Sequence, residues 1–256
     1  MPTKIDWCTE SINPLGWGCY GTDTAENPKI CVGCYAHAQS KRNLRDCELC
    51  NKFIPHTHFE QLDKLAKWKM PRTVFVQSMG DLFGEWVSDD TINMVFAACR
   101  NSPQHRYLFL TKSHKRYMKE HIAYEAWDIG YGHRQPNWWF GISASDKTTL
   151  DERSKGLSYG MNTFLSLEPL QADVGLSLVR SIRDCNVKWV IVGAMTGKEA
   201  KNHRHADLAG WVWNIVEDCK NANIPVFLKD NLINPMGEKY VKENQQFPWG
   251  GVKHEH

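Results

Sequence analysis

Cys19, Cys31 and Cys34 are the residues of this chain whose type and spacing could do chemistry. Cys31 and Cys34 form a Cys-x-x-Cys pair, and eleven residues separate Cys19 from Cys31. Glycines surround all three, in Gly16-Trp17-Gly18-Cys19-Tyr20-Gly21 and in Cys31-Val32-Gly33-Cys34. Three thiolates can hold three irons of a [4Fe–4S] cube and leave the fourth open to a ligand that is not protein. Two other readings fit the spacing alone. One is zinc, which usually takes four ligands; the other is buried cysteines packing as small hydrophobes.

A second group follows in Cys47-Glu48-Leu49-Cys50 and His56-Thr57-His58. Two cysteines two residues apart with two histidines close behind are candidates for a zinc site. A plain loop and a redox or auxiliary-cluster role are the other readings. The histidines stand one residue apart, closer than the three to five of finger-type sites. In an extended segment their rings point oppositely, so a shared ion needs a turn here.

Composition bounds what these groups can serve. The chain has 256 residues, 42% hydrophobic and 23% charged, which suits one large domain with a sizeable core. A net charge of +2 rules out crude electrostatic capture of nucleic acid as the main activity, and leaves room for a local basic groove. The nine cysteines are an odd number and the first residues form no apolar signal segment. No apolar run approaches a membrane span. The reading is a reducing cytoplasm with no membrane association, where paired cysteines point to metal or redox work. Cys99, Cys185 and Cys219 sit among Ala, Val and Ile and are expected to be structural.

The elements that must position these groups alternate strand and helix from residue 73 onward. Residues 73–77 (TVFVQ), 107–110 (YLFL), 138–142 (WWFGI), 163–167 (TFLSL), 189–192 (WVIV) and 225–228 (PVFL) are β-prone runs. Their near-continuous apolarity suits parallel strands covered on both faces. Helices are expected over 89–100, 114–120, 147–155 and 206–222, the last with an apolar stripe at Leu208, Trp211, Val212, Ile215, Val216 and Cys219. The pattern predicts an α/β fold of repeated β-α units, a parallel barrel or doubly wound sheet. Six strands are legible, a seventh is expected before Cys19, and an eighth is not visible. The chain reads as a single domain with a cluster-binding part over 1–72 and a closing flap or loose tail over 231–256.

Each strand ends in polar residues: Gln77-Ser78-Met79-Gly80-Asp81, Thr111-Lys112, Ser143, Glu168-Pro169, Gly193 with Thr196-Gly197, and Lys229-Asp230. In parallel β/α folds the C-terminal strand ends converge on the site. Helix caps and solvated loops would use the same residue types.

Asp6-Trp7-Cys8, Asn13-Pro14, Gly18-Cys19, Cys31 to Ala36, Ser78-Met79-Gly80-Asp81-Leu82-Phe83, Leu110-Thr111-Lys112, Gly141-Ile142-Ser143, Ser166 to Leu170 and Phe227-Leu228-Lys229 together carry a resemblance. The chain resembles a phage-associated three-cysteine-motif family of unknown-function proteins, itself similar to the radical S-adenosylmethionine (SAM) superfamily. The resemblance runs from Lys4 to Asn231. It implies a partial parallel (β/α) barrel, a [4Fe–4S] cluster on Cys19, Cys31 and Cys34, and SAM chelated by the fourth iron. Reductive cleavage of SAM would then give a 5′-deoxyadenosyl radical that abstracts hydrogen from substrate, the cofactor carrying the chemistry.

By the same resemblance, Ser78, Met79, Gly80 and Asp81 form the loop that binds the SAM amino group. Ser143 would meet a ribose or carboxylate, and Glu168, Lys112 and Lys229 would contact SAM or substrate. Two departures stand out. The first cysteine gap is eleven residues rather than three, and Gly33 stands where an aromatic usually precedes the last cysteine, with Tyr35 after it as the cofactor-binding candidate. The expected partners are SAM, a reducing electron donor and DNA or a nucleotide, with a hypermodified pyrimidine as one substrate class. His114-Lys115-Arg116 and residues 198–204, with His203 and His205, are candidates for a phosphate-contacting rim. The alternative is a zinc-stabilised nucleic-acid-binding or adaptor protein on a barrel scaffold.

Overall fold

The computed structural model describes residues 5–21, 29–43, 45–119, 135–157, 162–197 and 207–250. Their strands form one seven-stranded sheet in the sequential order β1 to β7. The chain divides into two compact units, Met1–Trp139 and Phe140–His256.

The first unit holds β1 (Glu10–Ile12), α1 (Tyr35–Ser40), α2 (Glu48–Asn51), α3 (Asp63–Lys67), β2 (Thr73–Val76), α4 (Asp89–Arg100) and β3 (Arg106–Thr111). β1 pairs with β2 and β2 with β3, both parallel. All four residues of β2 are buried, as its unbroken TVFV run predicts. α4 begins at Ser88, whose hydroxyl accepts from the Thr91 N–H, and Asp89 and Asp90 favour the positive end of the helix. It buries Ile92, Val95, Phe96 and Cys99, and the Phe96 ring meets Phe109 of β3 at 5.4 Å. Burying one such ring stabilises by about 2–3 kcal/mol.

β4 (Trp138–Ala144) spans the division. The second unit continues with α5 (Lys147–Arg153), β5 (Asn162–Leu167), α6 (Leu176–Asp184), β6 (Val187–Val192), α7 (Leu208–Asn221), β7 (Val226–Leu228), α8 (Ile233–Met236) and α9 (Glu238–Glu243). β5, β6 and β7 pair parallel in turn. α7 buries Val212, Ile215, Val216 and Cys219 from the expected stripe.

Three elements differ from expectation. Residues 114–118 form a 3-10 turn (His114–Met118) rather than the start of an α-helix, and Glu120, its expected end, lies outside the described residues. The helix expected over 147–155 stops at Arg153, and a 3-10 turn (Ser154–Gly156) follows. α6 was not anticipated, because Ser177 and Ser181 share its buried face with Leu178 and thin the apolar pattern there. No helix among the described residues is long and apolar enough to cross a membrane.

Candidate functional site

The cysteine loops of the first unit are held by backbone contacts that demand glycine. The Gly18 N–H donates to the Met79 carbonyl at 3.1 Å, and Gly18 and Gly80 form a parallel bridge. A Cβ on Gly80 would stand 2.4 Å from the Gly18 oxygen, and one on Gly18 would meet the Ile54 and Pro55 backbone at the same distance. The loop holding Cys19 and the loop after β2 therefore approach as bare backbone.

The eleven-residue gap is pinched at its base. Gly21 and Lys29 form a parallel bridge, with the Lys29 N–H donating to the Tyr20 carbonyl at 3.1 Å. Cys19 and Cys31 thus each lie two residues from a point where the chain returns to itself, despite the long first gap. Cys34 opens α1, its Sγ accepting from the His37 N–H at 3.5 Å. Cys19 Sγ accepts from the Gly21 N–H at 3.2 Å. Both Cys19 and Cys34 pack against one buried cluster of Ala36, Phe53 and Met79. All nine cysteines are free of disulfides.

Burial pushes the Cys19 thiol up to about 12, with the Asp81 carboxylate and then Cys31 and Cys34 adding to the rise against the Gly21 N–H. Negative charge is thus expensive at Cys19 unless a cation shares it. That donor set, three thiols with amide N–H groups already aimed at two of the sulfurs, fits an iron–sulfur cluster.

A polar network that the sequence reading missed fixes the loop after β2. Asn13 Oδ1 accepts from the Met79 N–H at 2.7 Å and from Ser78 Oγ at 3.3 Å. Gln61 Oε1 accepts from the Asn13 N–H at 3.0 Å. Gln77 has a left-handed backbone (φ 65°), and its amide accepts from the Leu15 N–H and donates to the Gly16 carbonyl. Tyr35 donates its hydroxyl to the Ser78 carbonyl, so the residue after the third cysteine braces the same loop.

Asp81 is buried at the end of this loop. Its carboxylate accepts from Thr111 Oγ1 at 2.7 Å, the Lys112 N–H at 2.9 Å and the Phe83 N–H at 3.0 Å. Three of its roughly four lone-pair directions are therefore taken internally. Burial pushes its carboxyl up, against those donors and the nearby Lys112 charge.

The second cysteine–histidine group adjoins the Cys19 loop. Cys47 Sγ lies 3.2 Å from His56 Nε2, and Cys50 Sγ lies 3.4 Å from His56 Nε2 and 3.5 Å from His58 Nε2. Among the described residues these four are the group of three or more gathered tightly enough to hold one ion. Cys19, Cys31 and Cys34 do not make another such group.

The second unit offers polar groups at its own strand ends. Lys229, just after β7, ion-pairs with Glu168, just after β5. Gly193 makes room for the pair, since a Cβ there would meet Lys229 Cδ at 2.9 Å and the Glu168 carboxyl at 3.1 Å. Ser143 Oγ donates to the Glu168 carbonyl at 3.3 Å. Of the expected phosphate rim, residues 198–204 and His205 lie outside the described residues. Arg116 is buried, donates to the Val87 carbonyl at 2.6 Å and ion-pairs with Asp89, and His114 is buried too. Only Lys115 of that triplet is exposed, so it forms no basic rim.

The fold is a partial parallel (β/α) barrel of the radical-SAM type. Among solved structures the chain is similar to "Spore photoproduct lyase complexed with dinucleoside spore photoproduct", with a TM-score of 0.55 and 12% identity over 89% of this chain and 78% of that one. The chain belongs to the family described as "Protein of unknown function (DUF5131)", which matches residues 2–254. Comparison with curated proteins finds no match.

Proposed function

We propose that this chain is a radical SAM enzyme that holds a [4Fe–4S] cluster on Cys19, Cys31 and Cys34 and acts on a base of DNA or of a nucleotide. The observation that carries the reading is the joining of the Cys19 loop to the loop after β2, with Cys19, Cys34 and Met79 around one apolar cluster. The barrel fold supports it, and the neighbour's bound dinucleoside supports a nucleoside as the substrate class. When bound, the cluster and SAM would supply one electron to a sulfonium and a carbon radical able to take hydrogen from substrate.

The chain's own residues would do the rest. The Gly21 and His37 N–H groups favour charged sulfur on Cys19 and Cys34. Ala36, Phe53 and Met79 would keep water from the sulfurs. The Ser78–Asp81 loop would receive the SAM amino group, with the last lone-pair direction of Asp81 toward the ammonium. Tyr35, already on the Ser78 carbonyl, would keep that loop in place. Lys112, Ser143, Glu168 and Lys229 stand at C-terminal strand ends, where parallel β/α folds carry their chemistry, and are assigned to SAM or substrate contacts. A base within a duplex would have to be flipped out first.

Anaerobic reconstitution tests this. The wild-type chain should turn brown, bind about four irons and cleave SAM under reduction. Cys19→Ala, Cys31→Ala and Cys34→Ala should each lose iron and cleavage together. A colourless chain that takes up no iron, or SAM cleavage retained in these variants, would sink the reading. With deuterated pyrimidine oligonucleotides, label should appear in 5′-deoxyadenosine.

A further inference from the structure

We propose that Cys47, Cys50, His56 and His58 bind one zinc ion in a closed tetrahedral site that clamps the Cys19 loop. Their four ligand atoms lie within 4.8 Å of one another, with sulfur–nitrogen separations of 3.2–3.5 Å. Zn–S bonds of about 2.3 Å and Zn–N bonds of about 2.0 Å in a tetrahedron put sulfur and nitrogen about 3.5 Å apart. The geometry is that of ligands around one small ion.

The protonation pattern agrees. His56 Nδ1–H donates to the Ile54 carbonyl at 2.7 Å, and His58 Nδ1–H donates to Glu60 Oε1 at the same distance. A neutral imidazole protonated on Nδ1 presents its Nε2 lone pair. Both lone pairs are aimed at the cysteine sulfurs. Four electron-pair donors facing one another call for a cation between them, and outer partners on Nδ1 are the usual support of metal-bound histidine. The close histidine spacing is no obstacle, because the two rings turn edge-on to each other, 71° apart at 4.8 Å between centroids. A Rieske-type cluster puts its histidines and cysteines on separate irons. Here His56 Nε2 lies within 3.4 Å of both sulfurs, which suits a single ion.

The site is wired to the first cysteine loop. The Trp17 N–H donates to Cys50 Sγ at 3.4 Å, the His58 N–H to the Pro14 carbonyl at 2.7 Å and the His56 N–H to the Leu15 carbonyl at 3.5 Å. Gly16 (φ +61°) leaves the space that the His56 ring fills, since a Cβ there would be 2.5 Å from it. With all four positions taken by protein the ion has no open corner, so its task is structural. The site stands on its own residues whether or not Cys19, Cys31 and Cys34 hold a cluster; only its service to that cluster rests on the functional reading.

Metal analysis of the full chain, grown with zinc present, tests the assignment separately from iron. About one zinc per chain is expected, kept in Cys31→Ala and lost in the Cys47→Ser, Cys50→Ser double variant. Should that variant fail to fold, cobalt(II) added to chelator-treated wild type gives a second readout. Intense visible bands of tetrahedral cobalt with thiolate charge transfer are expected. Wild type without zinc, zinc undiminished in the folded double variant, or a weak octahedral cobalt spectrum overturns the proposal. Missing iron with zinc intact overturns only the cluster reading.

Discussion

Asp81 shows how much one side chain can carry in this molecule. Its carboxylate gathers the Thr111 hydroxyl and the Phe83 and Lys112 N–H groups in a buried place beside Cys19. Asp81→Ala leaves those three donors without their acceptor, and each buried unsatisfied group costs about 1–3 kcal/mol. The expected outcome is a loss of about 3 kcal/mol or more, read by urea denaturation. Thr111→Val should cost less, since Asp81 keeps two of its donors and only the Ser113 N–H, which donates to Thr111 Oγ1 at 2.9 Å, loses its acceptor. At this scale the sequence was legible where chemistry is written in spacing. Cys47, Cys50, His56 and His58 could be picked out by type and spacing, and the structure gathers them. The network that Asn13, Gln61 and Gln77 form could not be foreseen, because each is an ordinary polar residue whose partner lies 48–66 positions away. Gln77 and Asn13 carried a faint signal in flanking the β2 end and a proline.

Elements were legible in proportion to how continuously they are buried. β2 and β4 are buried at every position and stood out as apolar runs. β1 has three residues, only Ile12 fully buried, and was foreseen by position alone. α5 carries a capping box in which Asp146 accepts from the Thr149 N–H at 2.8 Å and Thr149 Oγ1 accepts from the Asp146 N–H. Asp146→Ala is expected to cost about 1 kcal/mol. Burial pushes the Asp146 carboxyl up, but the Thr149 N–H and the Ser145 and Thr149 hydroxyls outweigh it and hold it below its ordinary 3.8. A folded value below the unfolded one gives stability that is present above pH 3.8 and is lost as pH falls through the folded value. Thermal melts of wild type and Asp146→Ala should therefore differ at pH 7 and converge in acid.

For the whole molecule, a net charge of +2 sets how it can meet nucleic acid. Random-sequence duplex should bind no tighter than the usual non-specific range of about 10⁻⁴–10⁻⁶ M, measured by fluorescence anisotropy at physiological salt. Nanomolar binding to arbitrary duplex would contradict it. Parallel strands were legible from the alternating β and α runs, but their sequential order was not, because the same alternation also builds a doubly wound sheet. The division within β4 was not legible either, since no shift of composition marks residues 139 and 140.

One feature of the second unit bears on how these molecules behave together. The outer side of β7 is sealed by the chain that follows: the Leu228 N–H donates to the Asn244 carbonyl, the Gln246 N–H to the Val226 carbonyl, and Gln245 Nε2 to the Leu228 carbonyl. Phe247 and Trp249 then pack on Trp189, whose indole N–H donates to the Gln246 carbonyl. An unsealed terminal strand is a template for pairing with another copy. The segment after α9 occupies the polar groups of that rim, and losing it would bare them to strand pairing with another copy.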